Sequence, residues 1–162
     1  MTLSTAKSPV SHLGGRASAA LLLGLLAAPG CGESGLGPDV PENNVVLAGD
    51  ADWGDDPYVA NSASVGGHGL TVEVSYAGGC RRHVFTLVIS ESFMESDPVQ
   101  LPAVLVHEAN GDTCEAWLTN TRVFDLDLVR TRYRQFYGPG PGTVVLRVDG
   151  LPWEDLVYEF DE

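Results

Sequence analysis

From Leu70 onward, apolar side chains recur at every second residue, and no other feature of the chain restricts its fold as much. Leu70, Val72, Val74 and Tyr76 alternate with Thr71, Glu73 and Ser75. A helix gathers residues about 3.6 apart onto one face, whereas a spacing of two lines one face of a strand. His83, Phe85, Leu87 and Ile89 form a second alternating set, and Val99, Leu101, Ala103, Leu105 and His107 a third. Further runs cover residues 114–124, 142–148 and 156–160, and Val45-Val46-Leu47 reads as an edge strand. Turn chemistry separates them at Gly66-Gly67, Gly78-Gly79, Ser96-Asp97-Pro98, Asn110-Gly111-Asp112 and Gly138-Pro139-Gly140. Many short strands at this spacing predict a mainly β protein, an antiparallel β-sandwich with one short α-helix. Residues 45–162 suffice for one such domain.

The helix is the segment that departs from period two. Asp127 to Tyr137 places Val129, Tyr133 and Phe136 on one stripe and stops at Gly138-Pro139, with Asp127 expected as N-cap. Arg130 and Arg132 fall on opposite borders of that stripe, and Arg132 points away from Arg130 and Arg134. Snorkelling, or pairing with nearby acids, fits this placement better than an anion site.

Ahead of the domain lie two segments of another kind. Residues 1–30 carry Lys7 and Arg16, then an apolar run over about 17–28, shorter than the roughly 20 residues a spanning helix needs. That is the make-up of a signal peptide. The stretch LAAPGC over residues 26–31 resembles the lipobox of bacterial lipoproteins, with Ala28 and Pro29 differing from its usual residues. The resemblance implies cleavage before Cys31 and a lipid anchor of palmitate type on Cys31. With Gly32 following the cysteine, it also implies the outer membrane as destination. Free secretion, with Ala28-Pro29-Gly30 as a loose cleavage site, and an uncleaved anchor are the alternatives. Residues 31–44 are rich in Gly, Pro and acid without periodicity, and read as a lipidated N-terminus and flexible tether.

Charge excludes one large class of partner. Beyond residue 30, seven arginines stand against 22 acidic residues, an excess of fifteen negative charges. Such a surface repels nucleic acid, whose binders carry basic patches. The expected partners are a membrane, through the N-terminal lipid, and an envelope protein or glycan.

Signals for chemistry fail one after another. Residues 50–56, DADWGDD, lack the glycine and glutamate spacing of an EF-hand loop. The HEANG stretch from His107 lacks the second histidine of a zinc protease and is expected on a hairpin. No nucleophile elbow or phosphate loop is present. Glu91/Glu95 and Glu154/Asp155 read as surface acids. Trp53, Trp117 and Trp153 are too scattered for a carbohydrate platform, and Trp117 is expected to pack on the sheet. The leading expectation is therefore a non-catalytic envelope module without cofactor. A metal-binding or hydrolytic domain using His83 and His107 is the second.

Residues 105–129, LVHEANGDTCEAWLTNTRVFDLDLV, followed by GTVVLRVDG over 142–150, resemble the C-terminal β-sandwich of NigD-like proteins and related secreted domains. The shared pattern is a strand into H-x-x-N-G-D, a returning strand ending in F-D-L, a short helix and a last strand. The resemblance implies a mainly β domain of the cell envelope and supplies no catalytic residues. Those proteins also carry an N-terminal barrel-like domain, for which residues 32–68 are too few.

Three cysteines remain to be placed. If Cys31 carries lipid, Cys80 and Cys114 form an exported pair. A hairpin of 82–90 with 99–107 sets His83 opposite His107. A second hairpin through Asn110-Gly111-Asp112 sets Cys114 opposite His107. All four side chains then share one end of the sheet, where a Cys80–Cys114 disulfide, a tetrahedral zinc site of Cys80, His83, His107 and Cys114, and free thiols are the alternatives. In this arrangement the cysteines sit two strands apart, about 9.6 Å. Cys80 must then curl over from the Gly78-Gly79 loop.

Overall fold

The computed structural model describes residues 43–49, 53–151 and 156–161. Cys31, the expected signal peptide and most of the expected tether lie outside the described residues, as do Trp153 and the Glu154/Asp155 pair. The described residues belong to a unit spanning 37–162. The described residues are mostly β, with two sheets and a single helix, as the period-two pattern demands.

The first sheet has five strands: β1 (Asn43–Leu47), β4 (Val84–Ile89), β5 (Val99–Glu108), β7 (Gly142–Asp149) and β8 (Leu156–Phe160), in the order β1-β4-β5-β7-β8. The second has three: β2 (Val59–Gly66), β3 (Gly69–Gly78) and β6 (Ala116–Asp125), in the order β2-β3-β6. The second sheet is antiparallel throughout, while in the first the β1–β4 and β5–β7 neighbours run parallel. Parallel neighbours need a long crossover. Between β1 and β4 it is the β2–β3 hairpin; between β5 and β7 it is β6 followed by α1 (Asp127–Tyr137). The β4–β5 hairpin closes over Ser96-Asp97-Pro98, with the Asp97–Pro98 peptide cis.

Alternating positions supply the core, as period two requires. Leu70, Val72 and Val74 of β3 are fully buried, as are Phe85, Leu87 and Ile89 of β4 and Leu101 of β5. Phe124, Leu126 and Val129 carry the core across the β6–α1 junction. On β4, Thr86 and Val88 are buried as well, so this strand is covered on both faces. Leu and Val side chains buried to this degree each contribute roughly 1.5–3 kcal/mol over exposure.

Several local expectations change. The helix occupies Asp127–Tyr137, but Leu126 is its N-cap and makes no side-chain cap bond. The Asp125 carboxylate accepts from the Asp127 N–H at 2.8 Å, and Asp127 instead pairs with Arg130 one turn on. Arg132 donates to the Glu91 carbonyl and Arg134 to the Asp161 carbonyl, so the helix arginines are spent within the fold. Trp117 does not pack on the sheet: it points outward and is 64% exposed. The Asn110-Gly111 turn is no hairpin either, because β5 and β6 lie in different sheets and the turn carries the chain between them. Both residues take left-handed backbone there, with φ of 53° and 66°.

Candidate functional site

The β5–β6 crossover and the β3–β4 loop meet at one end of the sandwich and knit a polar cluster. Asp112, at the close of the N-G-D turn, takes backbone N–H groups from Gly79, Cys80 and Arg81 on Oδ2, each at 2.9 Å. Its Oδ1 accepts from the Cys114 N–H at 2.9 Å. The carboxylate is fully buried, and His83 Nε2 lies 3.2 Å from Oδ2. Asn110 adds two links: its side chain donates to the Arg82 carbonyl, and its own carbonyl accepts from Arg81. With the Cys114 N–H foremost, and those of Cys80 and Arg81 behind it, the Asp112 carboxyl is held far below the usual carboxylate range in spite of its burial.

From Asp112 the chain of contacts runs inward. His83 Nδ1 lies 2.8 Å from His107 Nε2, and His107 Nδ1 lies 3.1 Å from the Asp56 carbonyl. A carbonyl only accepts, so His107 Nδ1 donates and its Nε2 accepts from His83 Nδ1. The carboxylate at the far end also only accepts. The third contact, from His83 Nε2, is therefore a full hydrogen bond only when the two rings hold three hydrogens between them. Both imidazoles are buried and lie against Tyr76, with the His107 ring also stacked on Phe85 at 4.3 Å. Burial pushes the His107 imidazole below its ordinary value; the Asp56 carbonyl works against this.

The register behind this cluster differs from the expected one. His107 pairs with Phe85, not with His83, yet the imidazoles still meet because His83 reaches in from just before β4. Cys80 and Cys114 are joined in a disulfide with Cα atoms 5.9 Å apart. No curl over an intervening strand is needed. β3 pairs directly with β6, every partner pair summing to 194, and Cys80 with Cys114 continues that register two residues past Gly78–Ala116. The four-residue zinc set therefore has no thiolate to offer in this oxidised form. A carboxylate that the zinc reading did not include, Asp112, lies beside the sulfurs: Cys80, Asp112 and Cys114 bring their ligand atoms within 4.8 Å of one another. The H-x-x-N-G-D stretch was the available signal for it, since an Asp after Asn-Gly is placed to accept backbone N–H groups from a facing loop.

Beside the cluster opens a cleft of about 230 Å³, walled by Pro57, Tyr58, Val59, His107, Cys114 and Trp117. Tyr58 fixes one wall by donating its hydroxyl to the Leu105 carbonyl at 2.8 Å. The cleft runs out onto the outer face of the three-stranded sheet, where Ala77 and Trp117 sit side by side in register.

Fold and site together define a two-sheet β-domain braced at one end by a disulfide and a buried carboxylate–imidazole chain. At the sequence level no family model matches the chain, and no curated protein does either. In fold, the chain is similar to a NigD-like immunity protein from Bacteroides caccae, at a TM-score of 0.53 and 19% identity over 74% of this chain. It spans 63% of that protein's length. A protein of unknown function from Bacteroides vulgatus matches at a TM-score of 0.47 and 14% identity, over 74% of this chain and 56% of its own. The NigD-like resemblance carried by residues 105–129 and 142–150 holds at the level of the fold.

Proposed function

We propose that this chain is a non-catalytic binding module of the bacterial cell envelope, exported by residues 1–30 and held at a membrane, the outer membrane by the Gly32 reading, through lipid on Cys31. One observation carries the non-catalytic part. Each ring nitrogen of His83 and His107 and both oxygens of Asp112 have partners within the protein, so none of these three side chains stands free as a general base beside the cleft. What the cleft presents outward is Trp117. A large exposed aromatic beside a concave wall is a feature of recognition surfaces.

The test places a photo-cross-linking amino acid at position 117 in the native host. A discrete adduct from the membrane fraction, absent when the probe sits at Thr131 of α1, supports the module. Release of the protein into the soluble fraction by Cys31→Ser supports the anchor. A wild-type protein that is soluble and begins at another residue removes the anchor. Hydrolysis of model ester or peptide substrates, abolished by His107→Ala, removes the non-catalytic reading.

A further inference from the structure

The outer face of the three-stranded sheet differs in chemistry from the rest of this acidic chain. Register places Val59, Ser75 and Thr119 in one row, Ser62, Glu73 and Thr121 in the next, and Ser64, Thr71 and Val123 in a third. Ala77 and Trp117 form a row at the cleft end. The face thus offers five accessible hydroxyls with that of Ser75 buried among them, one carboxylate and no basic residue, on a chain with 22 acids. Its middle is already ordered: Asn61 donates to Ser75 Oγ at 2.7 Å, and Ser75 Oγ bonds Thr119 Oγ1 at 2.7 Å. Ordered hydroxyls lose little freedom on binding.

We infer that this face, with Trp117 and the adjoining cleft, binds a neutral glycan; the inference rests on the binding-module reading and names its ligand class. The charge of the face selects the occupant. An anionic polymer would find no cation here, and a basic peptide would find a single glutamate where other surfaces of the chain offer many acids. A neutral polyhydroxyl chain matches donors and acceptors without needing charge. Trp117 supplies the apolar plate on which a sugar ring lays its C–H face, while its 64% exposure leaves that plate open. Rows two residues apart along β6 repeat at about 7 Å, so an extended glycan crosses several of them. The cleft of about 230 Å³ at the end of the face has room for one terminal ring.

Affinity electrophoresis tests this with the whole exported protein and four probes: glucomannan, hydroxyethylcellulose, xylan and the anionic polygalacturonate. Retardation by at least one neutral polymer is expected. Trp117→Ala should weaken it by about tenfold or more, and Thr119→Val should weaken it too. Phe136→Ala, at an exposed aromatic on the helix, should leave it unchanged. Melting curves of each variant establish that it is folded. Retardation by none of the neutral polymers, by polygalacturonate alone, or undiminished in folded Trp117→Ala overturns the inference. A protein adduct at position 117 without glycan binding overturns the glycan and spares the binding module; absence of both sinks the two together.

Discussion

His83 Nδ1 and His107 Nε2 meet at 2.8 Å although their strands are not paired at those positions, and this contact ties the β3–β4 loop to β5. Removing one ring strands the other in a buried site. His107→Ala should cost roughly 2–4 kcal/mol, as loss of a packed ring and of a buried hydrogen bond together. Urea unfolding reads this directly. An unchanged midpoint would show the contact to be idle.

Acid should act on the same cluster. His107 and Asp112 are both held below their ordinary values, so each takes up protons more readily in the unfolded chain. Each contribution is complete above the unfolded value and fades as pH falls, below about 6.5 for His107 and below about 3.8 for Asp112. The melting temperature should therefore be level above neutrality, decline below about pH 6.5 and fall again below about pH 4. Asp112→Asn should lower it at neutral pH and erase the second decline. A melting temperature that rises on acidification contradicts the assignment.

Reduction of Cys80–Cys114 reopens a span of 34 residues in the unfolded chain. On the chain-entropy account this removes roughly 3–4 kcal/mol, or about 10–20 °C for a domain of this size. Calorimetry with and without a phosphine reductant measures it, and the Cys80→Ser variant should reproduce the shift. Chelator should leave the oxidised protein unchanged. Stoichiometric metal whose loss unfolds it would restore the zinc site of Cys80, His83, His107 and Cys114.

A fourth substitution should work in the opposite direction. Tyr158 is fully buried, and its hydroxyl has no hydrogen-bond partner among the described residues. Burial also pushes its ionisation upward. Tyr158→Phe removes the stranded group while keeping the ring, which packs on Phe160 at 5.2 Å. A gain of about 1 kcal/mol is expected. Thermal unfolding of the variant measures it, and a loss of stability would mean that the hydroxyl has a partner.

The period of two was enough to mark the inward faces of β3, β4 and β5 residue by residue. Spacing along one strand, however, carries no information about which strand lies beside it. The β5–β6 turn therefore read as a hairpin, when a left-handed Asn110-Gly111 step serves equally to cross between sheets. The same gap put Cys80 two strands from Cys114. Trp117 was misplaced for another reason: on a strand edged with Thr and Asn, nothing in the sequence distinguishes a ring that covers the sheet from one that faces solvent. β2 was weakly marked because only Ala63 and Val65 of its small side chains reach the core. Asp112 escaped notice because its partners are backbone N–H groups, which every sequence has.

The Cys80–Cys114 link also has a mechanical consequence. Pulled apart by its two ends, this chain cannot pay out the segment between the cysteines. Each residue contributes at most about 3.5 Å of contour, so 34 residues of separation withhold about 120 Å of extension until the bond is reduced. The strands withheld are β4 and β5, which occupy the interior of the five-stranded sheet. A stretched molecule would therefore keep the β4–β5 span as a closed loop however far its ends are drawn apart.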